Sequence, residues 1–288
     1  MLESWEHVAA QAIAAGKIKA APVFTTADNS ATEQAAQIEN LVLQGFDAIV
    51  VNAASPTALN GAIKKACQAG VVVVSFDGIV TEPCAYRVTH NYRNFGEEQM
   101  RYLSDALPNG GNVLELRGIA GTYIDNEVSE GVHDALKSMP KFKLVASVYG
   151  NWNPVDSQKA VAGVLPSLSK VDVVLNAGGG TGVIRAFEIA GRPVPLVTLG
   201  NQYDELSWWQ EKRGTGYNTR SAGANPGIAS FAFWVAQQAL EGRKMPKDIE
   251  VPFLVVTPEA LDSTLEGMKP GGNVTQDFTL DNVSNAMR

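Results

Sequence analysis

Long apolar runs, cysteine, histidine and positive charge are all scarce in this chain of 288 residues, and each scarcity removes a class of function. No stretch approaches the roughly 18 consecutive apolar residues that a membrane helix needs, so no membrane insertion is expected. A formal net charge of -7 gives no basic face for phosphate backbones, which argues against nucleic acid as a partner. The two cysteines, Cys67 and Cys84, lack the paired Cys/His spacing of a zinc site. One stands in an expected helix and the other just past the following strand. That placement fits either two buried thiols in a reducing compartment or a disulfide between neighbouring elements in an oxidising one.

Enzyme signatures are also missing. With three histidines, a triad or metal site has few candidates: His7 and His133 lie in helices beside acidic residues, and His90 stands at a strand end. There is no G-x-S-x-G elbow, no H-E-x-x-H and no cysteine with a plausible base at a helix start. The run Gly178-Gly179-Gly180-Thr181-Gly182 follows a strand and opens a helix, as a phosphate loop does. A dinucleotide fingerprint would need glycine where Val183 stands, and no Lys-Ser/Thr pair completes a P-loop. Neither a cofactor nor a metal is expected, and catalysis is unsupported.

What the chain does have is alternation. Val71-Val72-Val73-Val74-Ser75-Phe76-Asp77-Gly78 reads as a parallel strand buried on both faces, with its first polar side chain at the carboxyl end. Around it, strands are expected at Lys19 to Thr26, Phe46 to Val51, Ala85 to Thr89, Asn112 to Leu116, Leu144 to Tyr149, Val171 to Leu175, Pro195 to Leu199, Gly214 to Asn218 and Ile249 to Val256. Helical segments with recognisable starts separate them, among them Ser30-Ala31-Thr32-Glu33 and Ser55-Pro56. Strand and helix in alternation predict an α/β fold of two doubly wound parallel-sheet lobes joined by a crossover hinge. The boundaries are 1–90 plus 220–252 for the N-terminal lobe and 91–219 plus 253–288 for the C-terminal lobe and tail.

Ligands of open α/β sheets bind beyond the carboxyl ends of the strands, and side chains that hydrogen-bond hydroxyl groups recur there. They are Asn52, Asp77, Asn91, Asn176, Asn201 with Gln202, and Asn218 with Thr219. Trp152 follows another strand, where an indole face can stack on a sugar ring. Each Asn taken singly is more often a cap or turn residue. As a set, neutral amides, one carboxylate and an aromatic plate suit an uncharged, polyhydroxylated ligand.

The chain resembles the periplasmic sugar-binding proteins of ABC importers, of the ribose-binding type with the type I two-lobe fold. The resemblance rests on Val71 to Gly78, on Leu116-Arg117-Gly118-Ile119-Ala120-Gly121-Thr122, on the stretch from Arg185-Ala186 to Gly191, and on the helix ending Leu240-Glu241-Gly242. It implies hydrogen bonds from Asp77 to sugar hydroxyls, stacking by Trp152 and a strand-end contact by Asn176. The family's arginine after the aspartate is replaced by Gly78. Its second-lobe arginine aligns near Asn126, its next strand-end aspartate with Asn201, and its hinge glutamine near Thr219. These departures point away from ribose towards another monosaccharide or a sugar alcohol.

The resemblance also implies a periplasmic protein that captures its ligand between two lobes and partners an ABC transporter permease. Because the family begins with a strand where this chain begins in a helix, a first strand and a signal peptide upstream are implied. A sugar-processing enzyme or the effector domain of a sugar-responsive repressor are the alternatives.

Overall fold

The computed structural model describes residues 1–176 and 178–286. In chain order its elements are α1 (Leu2–Ala14), α2 (Ala31–Leu43), β1 (Ala48–Val51), α3 (Asn60–Gln68), β2 (Val72–Phe76), β3 (Tyr86–Thr89) and α4 (Tyr92–Ala106). There follow β4 (Gly111–Arg117), α5 (Tyr123–Ser138), β5 (Phe142–Tyr149), α6 (Pro154–Val164), β6 (Val173–Asn176), α7 (Gly180–Ile189) and β7 (Leu196–Val197). The chain ends with α8 (Tyr203–Arg213), β8 (Ser221–Gly223), α9 (Ile228–Leu240), β9 (Asp248–Glu250), β10 (Leu254–Val256), α10 (Leu261–Glu266) and α11 (Leu280–Ala286). It divides into two compact units. The first holds Met1–His90, Asn225–Pro252 and the chain from Thr275 on; the second holds Asn91–Ala224 and Phe253–Val274.

Local chemistry sets the helix starts. Ser30 Oγ accepts the Glu33 N–H at 3.2 Å and caps α2, Thr122 Oγ accepts the Asp125 N–H at 3.3 Å and caps α5, and Asn153 caps α6 with Pro154 in the first turn. The reciprocal half of the α2 capping box is displaced, because the Glu33 carboxylate accepts from Ala27 N–H.

In the first unit β1, β2, β3 and β9 form a sheet in that order, every pair parallel, with Ile49 beside Val73 and Val74 beside Tyr86. Val73 joins Ile49, Val51, Ile38 and Ile63 under α2 and α3, while Val74 and Val88 join Val8, Ala12 and Phe231 under α1 and α9. Burial of each such valine contributes about 1.5–3 kcal/mol, which is why β2 needs no polar alternation. Helix α9 is buried along its length from Ile228 to Gln238, as its nearly continuous apolar sequence requires.

In the second unit the order is β5, β4, β6, β7, again all parallel. Leu114, Leu116 and Val174 pack with Val161, Val183, Phe187 and Trp209 on one face. Val113, Val173 and Leu175 pack with Met100, Leu103 and Val132 on the other. A separate antiparallel pair, β8 with β10, belongs to the same unit.

The structure corrects the sequence reading at several points. Lys19 to Thr26 is irregular: no strand among the described residues pairs with it, and two of its carbonyls are met by side chains instead, Trp5 Nε1 on Ala21 O at 3.2 Å and Gln37 Nε2 on Thr25 O at 2.9 Å. Gly214 to Asn218 is also not a strand, and β8 forms further on, where Ser221 to Gly223 find β10 as a partner. The expected strand from Ile249 to Val256 is cut in two around Pro252, which has no N–H for a ladder; β9 lies in the first unit and β10 in the second. Of the compact units, the first includes Met1–His90, the second includes residues 220–224, and the tail from Thr275 packs with the first through Asn225 Nδ2 on Gln276 O at 2.8 Å and Trp234 Nε1 on Phe278 O at 2.8 Å.

Cys67 at the end of α3 and Cys84 before β3 form a disulfide, with Cα atoms 6.4 Å apart. It closes a loop of sequence separation 17. For a loop of that size the restriction of the unfolded chain is worth about 3 kcal/mol. Replacing both cysteines by serine is expected to lower the unfolding free energy by about that amount, measured by urea denaturation. The same reductant that weakens the wild type should leave the double variant unaffected.

Candidate functional site

In the first unit the carboxyl end of β2 delivers Asp77. Its backbone sits in the left-handed region at φ 60, unusual for a residue with a side chain, and the structure holds it there from several sides. Asp77 N–H donates to Val88 O at 2.9 Å, Thr89 Oγ1 donates to Asp77 O at 2.9 Å, and Asn52 Nδ2 donates to Asp77 Oδ2 at 3.3 Å. Asn52, at the end of the neighbouring β1, also accepts the Gly78 N–H at 3.1 Å. A Cβ on Gly78 would lie 2.7 Å from Ala53 O, so no side chain fits after the aspartate.

His90 is fully buried just beyond β3. Its Nε2 accepts the Asn225 N–H at 3.2 Å, which makes Nδ1 the protonated nitrogen that donates to Val251 O at 2.7 Å. Burial holds its pKa below the ordinary imidazole value, and the neutral ring ties strand ends together.

In the second unit the ends of β5, β4, β6 and β7 follow one another across the sheet, and each carries a polar or aromatic residue. Arg117 ends β4. Its guanidinium is held in two-pronged fashion by Asp125, through Nε at 3.2 Å and Nη2 at 2.6 Å, and lies 4.8 Å from the centre of the Tyr149 ring. Asp125 Oδ1 also accepts the Gly118 N–H at 2.9 Å. After β5, Asn151 and Trp152 both adopt left-handed φ, 52 and 53. A Cβ on Gly118 would overlap the Trp152 indole, so the absence of a side chain there seats the ring. Arg117, Asp125, Trp152 and Asn176 line one recess.

The expected site residues are used unevenly. Asn176 is buried: its Oδ1 accepts the Gly178 N–H at 2.8 Å and its Nδ2 donates to Glu205 at 3.4 Å. Asn201 is buried too, donating to Leu254 O at 2.8 Å and accepting from Ser221 Oγ at 2.8 Å. Thr219 Oγ1 donates to Val197 O at 2.6 Å. Asn91 Oδ1 caps α4 by accepting the Asn94 N–H at 3.0 Å, Asn126 is exposed on the first turn of α5, and Gln202 stands at the start of α8. Asn176 and Trp152 share the recess. The sequence reading missed Asp125 and Glu205, whose importance comes from the partners they find in space. A signal for Asp125 was present, since it stands in the third helical position after the cap Thr122.

Among the described residues no cluster of three His, Cys, Asp or Glu side chains is placed to hold a metal ion, and no helix is long and apolar enough to cross a membrane. Parallel sheets whose carboxyl ends carry hydrogen-bonding groups and a seated indole define a small-molecule binding protein of the α/β class. The chain belongs to the periplasmic binding protein family, whose domain model matches residues 2–244.

A solved ABC transporter solute binding protein from Thermobispora bispora is 35% identical, with a TM-score of 0.92 over 99% of this chain and 88% of that one. The xylitol-binding protein of Mycolicibacterium smegmatis is 24% identical over 85% of this chain and 70% of its own length. The ribose import binding protein of Bacillus subtilis is 22% identical over 82% and 76%.

The Asp125 side chain is 1% exposed and its Arg117 partner 19%, so cutting the pair strands a cation that water barely reaches. Asp125→Ala is expected to cost about 3 kcal/mol of unfolding free energy, read from the urea midpoint. Arg117→Met with Asp125→Leu should recover part of that loss, because the orphaned charge is then gone.

Proposed function

We propose that this chain captures an uncharged monosaccharide or sugar alcohol outside the cytoplasm and delivers it to the permease of an ABC importer. The observation that carries the proposal is the left-handed backbone at two strand carboxyl ends: Asp77 after β2, and Asn151 with Trp152 after β5. Strained backbone that places a polar or aromatic side chain at the carboxyl end of a parallel sheet is a feature of binding sites, and each unit has such a residue, a carboxylate in the first and an indole in the second. A carboxylate accepts from two or more hydroxyl groups, and an indole face covers the C–H face of a sugar ring.

Of the other candidates, Asn176, Asn201 and Thr219 have side chains committed to shaping the strand-end loops. Asn91, Asn126 and Gln202 stand nearer the surface and are assigned to the rim of the site. The names of the relatives support a pentose or pentitol class of ligand. The Cys67–Cys84 bridge supports a periplasmic location, since such bonds persist in oxidising compartments.

The ligand is released unchanged in this reading. A panel of D-ribose, D-xylose, xylitol and myo-inositol is expected to contain at least one compound that raises the melting midpoint. A ligand at a hundred times its Kd adds about 2.7 kcal/mol. Chemical conversion of that compound on prolonged incubation would favour an enzyme instead, and a panel with no shift would refute the carbohydrate assignment. For the compound that binds, Asp77→Ala should weaken affinity roughly ten- to a hundredfold, the value of one or two hydrogen bonds to a charged group, as measured by calorimetry.

A further inference from the structure

One buried carboxylate has no part in the ligand contacts proposed above. Glu205, in the first turn of α8, is fully buried, and its two oxygens collect three donors from two strand-end segments, the one after β6 and the one after β7. Oε1 accepts the Gly180 N–H at 2.7 Å, at the start of α7. Oε2 accepts the Gly200 N–H, just past β7, and the Asn176 side-chain amide at 3.4 Å, at the end of β6. Both oxygens are therefore already occupied as acceptors. A Cβ on Gly180 would come within 3.0 Å of the carboxylate, so the backbone can approach only because that residue is glycine.

We infer that Glu205 is a positioning residue for ligand binding: as a carboxylate it clips the glycine loop after β6 to the loop after β7, and as the neutral acid it releases one of them. The inference rests on the proposed carbohydrate site, because these loops carry Asn176 and adjoin Asn201 there. The physical reason is donor and acceptor arithmetic. A carboxylate accepts on both oxygens, whereas a protonated carboxyl has one oxygen converted to an O–H donor. Protonation takes one of the four lone-pair sites, places an O–H among the three inward-facing N–H donors and leaves them on an uncharged acceptor, so the bond to the protonated oxygen weakens and opens more readily.

Among the described residues no countercharge fixes the group in its ionised form. The strands that reach it, β6 and β7, carry no charged residue. On α7, Arg185 and Glu188 are exposed, as are Asp204 on α8 itself and Glu266 on α10, while Asp262 on α10 is paired with Arg213. Burial accordingly outweighs the hydrogen bonds and raises the Glu205 pKa to about 7. The clip would thus open and close within the pH range an extracytoplasmic protein meets.

The test begins on the wild-type protein without ligand. In a 15N-labelled sample the amide resonances of Gly180 and Gly200 are expected to titrate together between pH 5.5 and 8.5. Resonances that stay fixed over that range would overturn the proposal. Affinity for the tightest-binding member of the D-ribose, D-xylose, xylitol and myo-inositol panel is then measured at pH 8 and pH 6. A drop of up to about tenfold is expected, the ratio of ionised fractions for a group titrating near 7. Glu205→Gln should bind more weakly and with no such pH dependence.

Affinity that stays flat while the glycine amides titrate would also overturn the inference, and this arm needs only the wild type. Should the panel contain no binder at either pH, the carbohydrate assignment fails, and the amide titration alone decides whether the clip exists.

Discussion

A parallel sheet must be covered on both faces, and most of what this chain does follows from that requirement. Parallel strands need crossovers, most of those here are helices although β2 passes to β3 through an irregular loop, and the helices bury Val73 on one side of the first sheet and Val74 on the other. Once every strand runs the same way, all the carboxyl ends of a sheet fall on one edge. Backbone groups leaving the ladder there need partners, and the loops that supply them are free to carry polar side chains. The candidate ligand groups of each unit therefore gather on one edge without any sequence motif to bring them together.

The chemistry at these ends is dominated by amides and carboxylates that satisfy backbone donors before they meet a ligand. Asn52 binds both Gly78 N–H and the Asp77 side chain, Asp125 binds Gly118 N–H and Arg117, and Glu205 binds Gly180 and Gly200. In each case a glycine lets the backbone come close, and a neighbouring polar side chain holds it there. The candidate ligand groups Asp77 and Trp152 both have left-handed backbone, which at Asp77 is held by this surrounding network. A site built in this way is organised in advance, which lowers the ordering cost of binding.

The strand-end positions of the candidate residues were legible in the sequence, and the limits are instructive. Asp77 and Asn176 could be found because each ends a short apolar run, and Trp152 because it follows one. Their individual roles were less legible. Asn201 and Thr219 look like ligand contacts in sequence, yet their side chains bond Leu254 and Val197, partners that only the folded chain supplies. Glu205 gave no signal, since its acceptor role depends on amides 5 and 25 positions away.

The sequence by itself determined the alternation of strands and helices, the scarcity of catalytic groups and the location of polar strand ends. These are local properties, written in periodicity and in caps such as Ser30 and Thr122. Tertiary structure decided whether Lys19 to Thr26 has a neighbour to pair with, that Pro252 divides one strand between two sheets, that the tail from Thr275 joins the first unit, and that Cys67 and Cys84 are bonded. The physical reason is the same in each instance. A ladder, a buried hydrogen bond or a disulfide needs a second group, and its distance in space cannot be read from its distance along the chain.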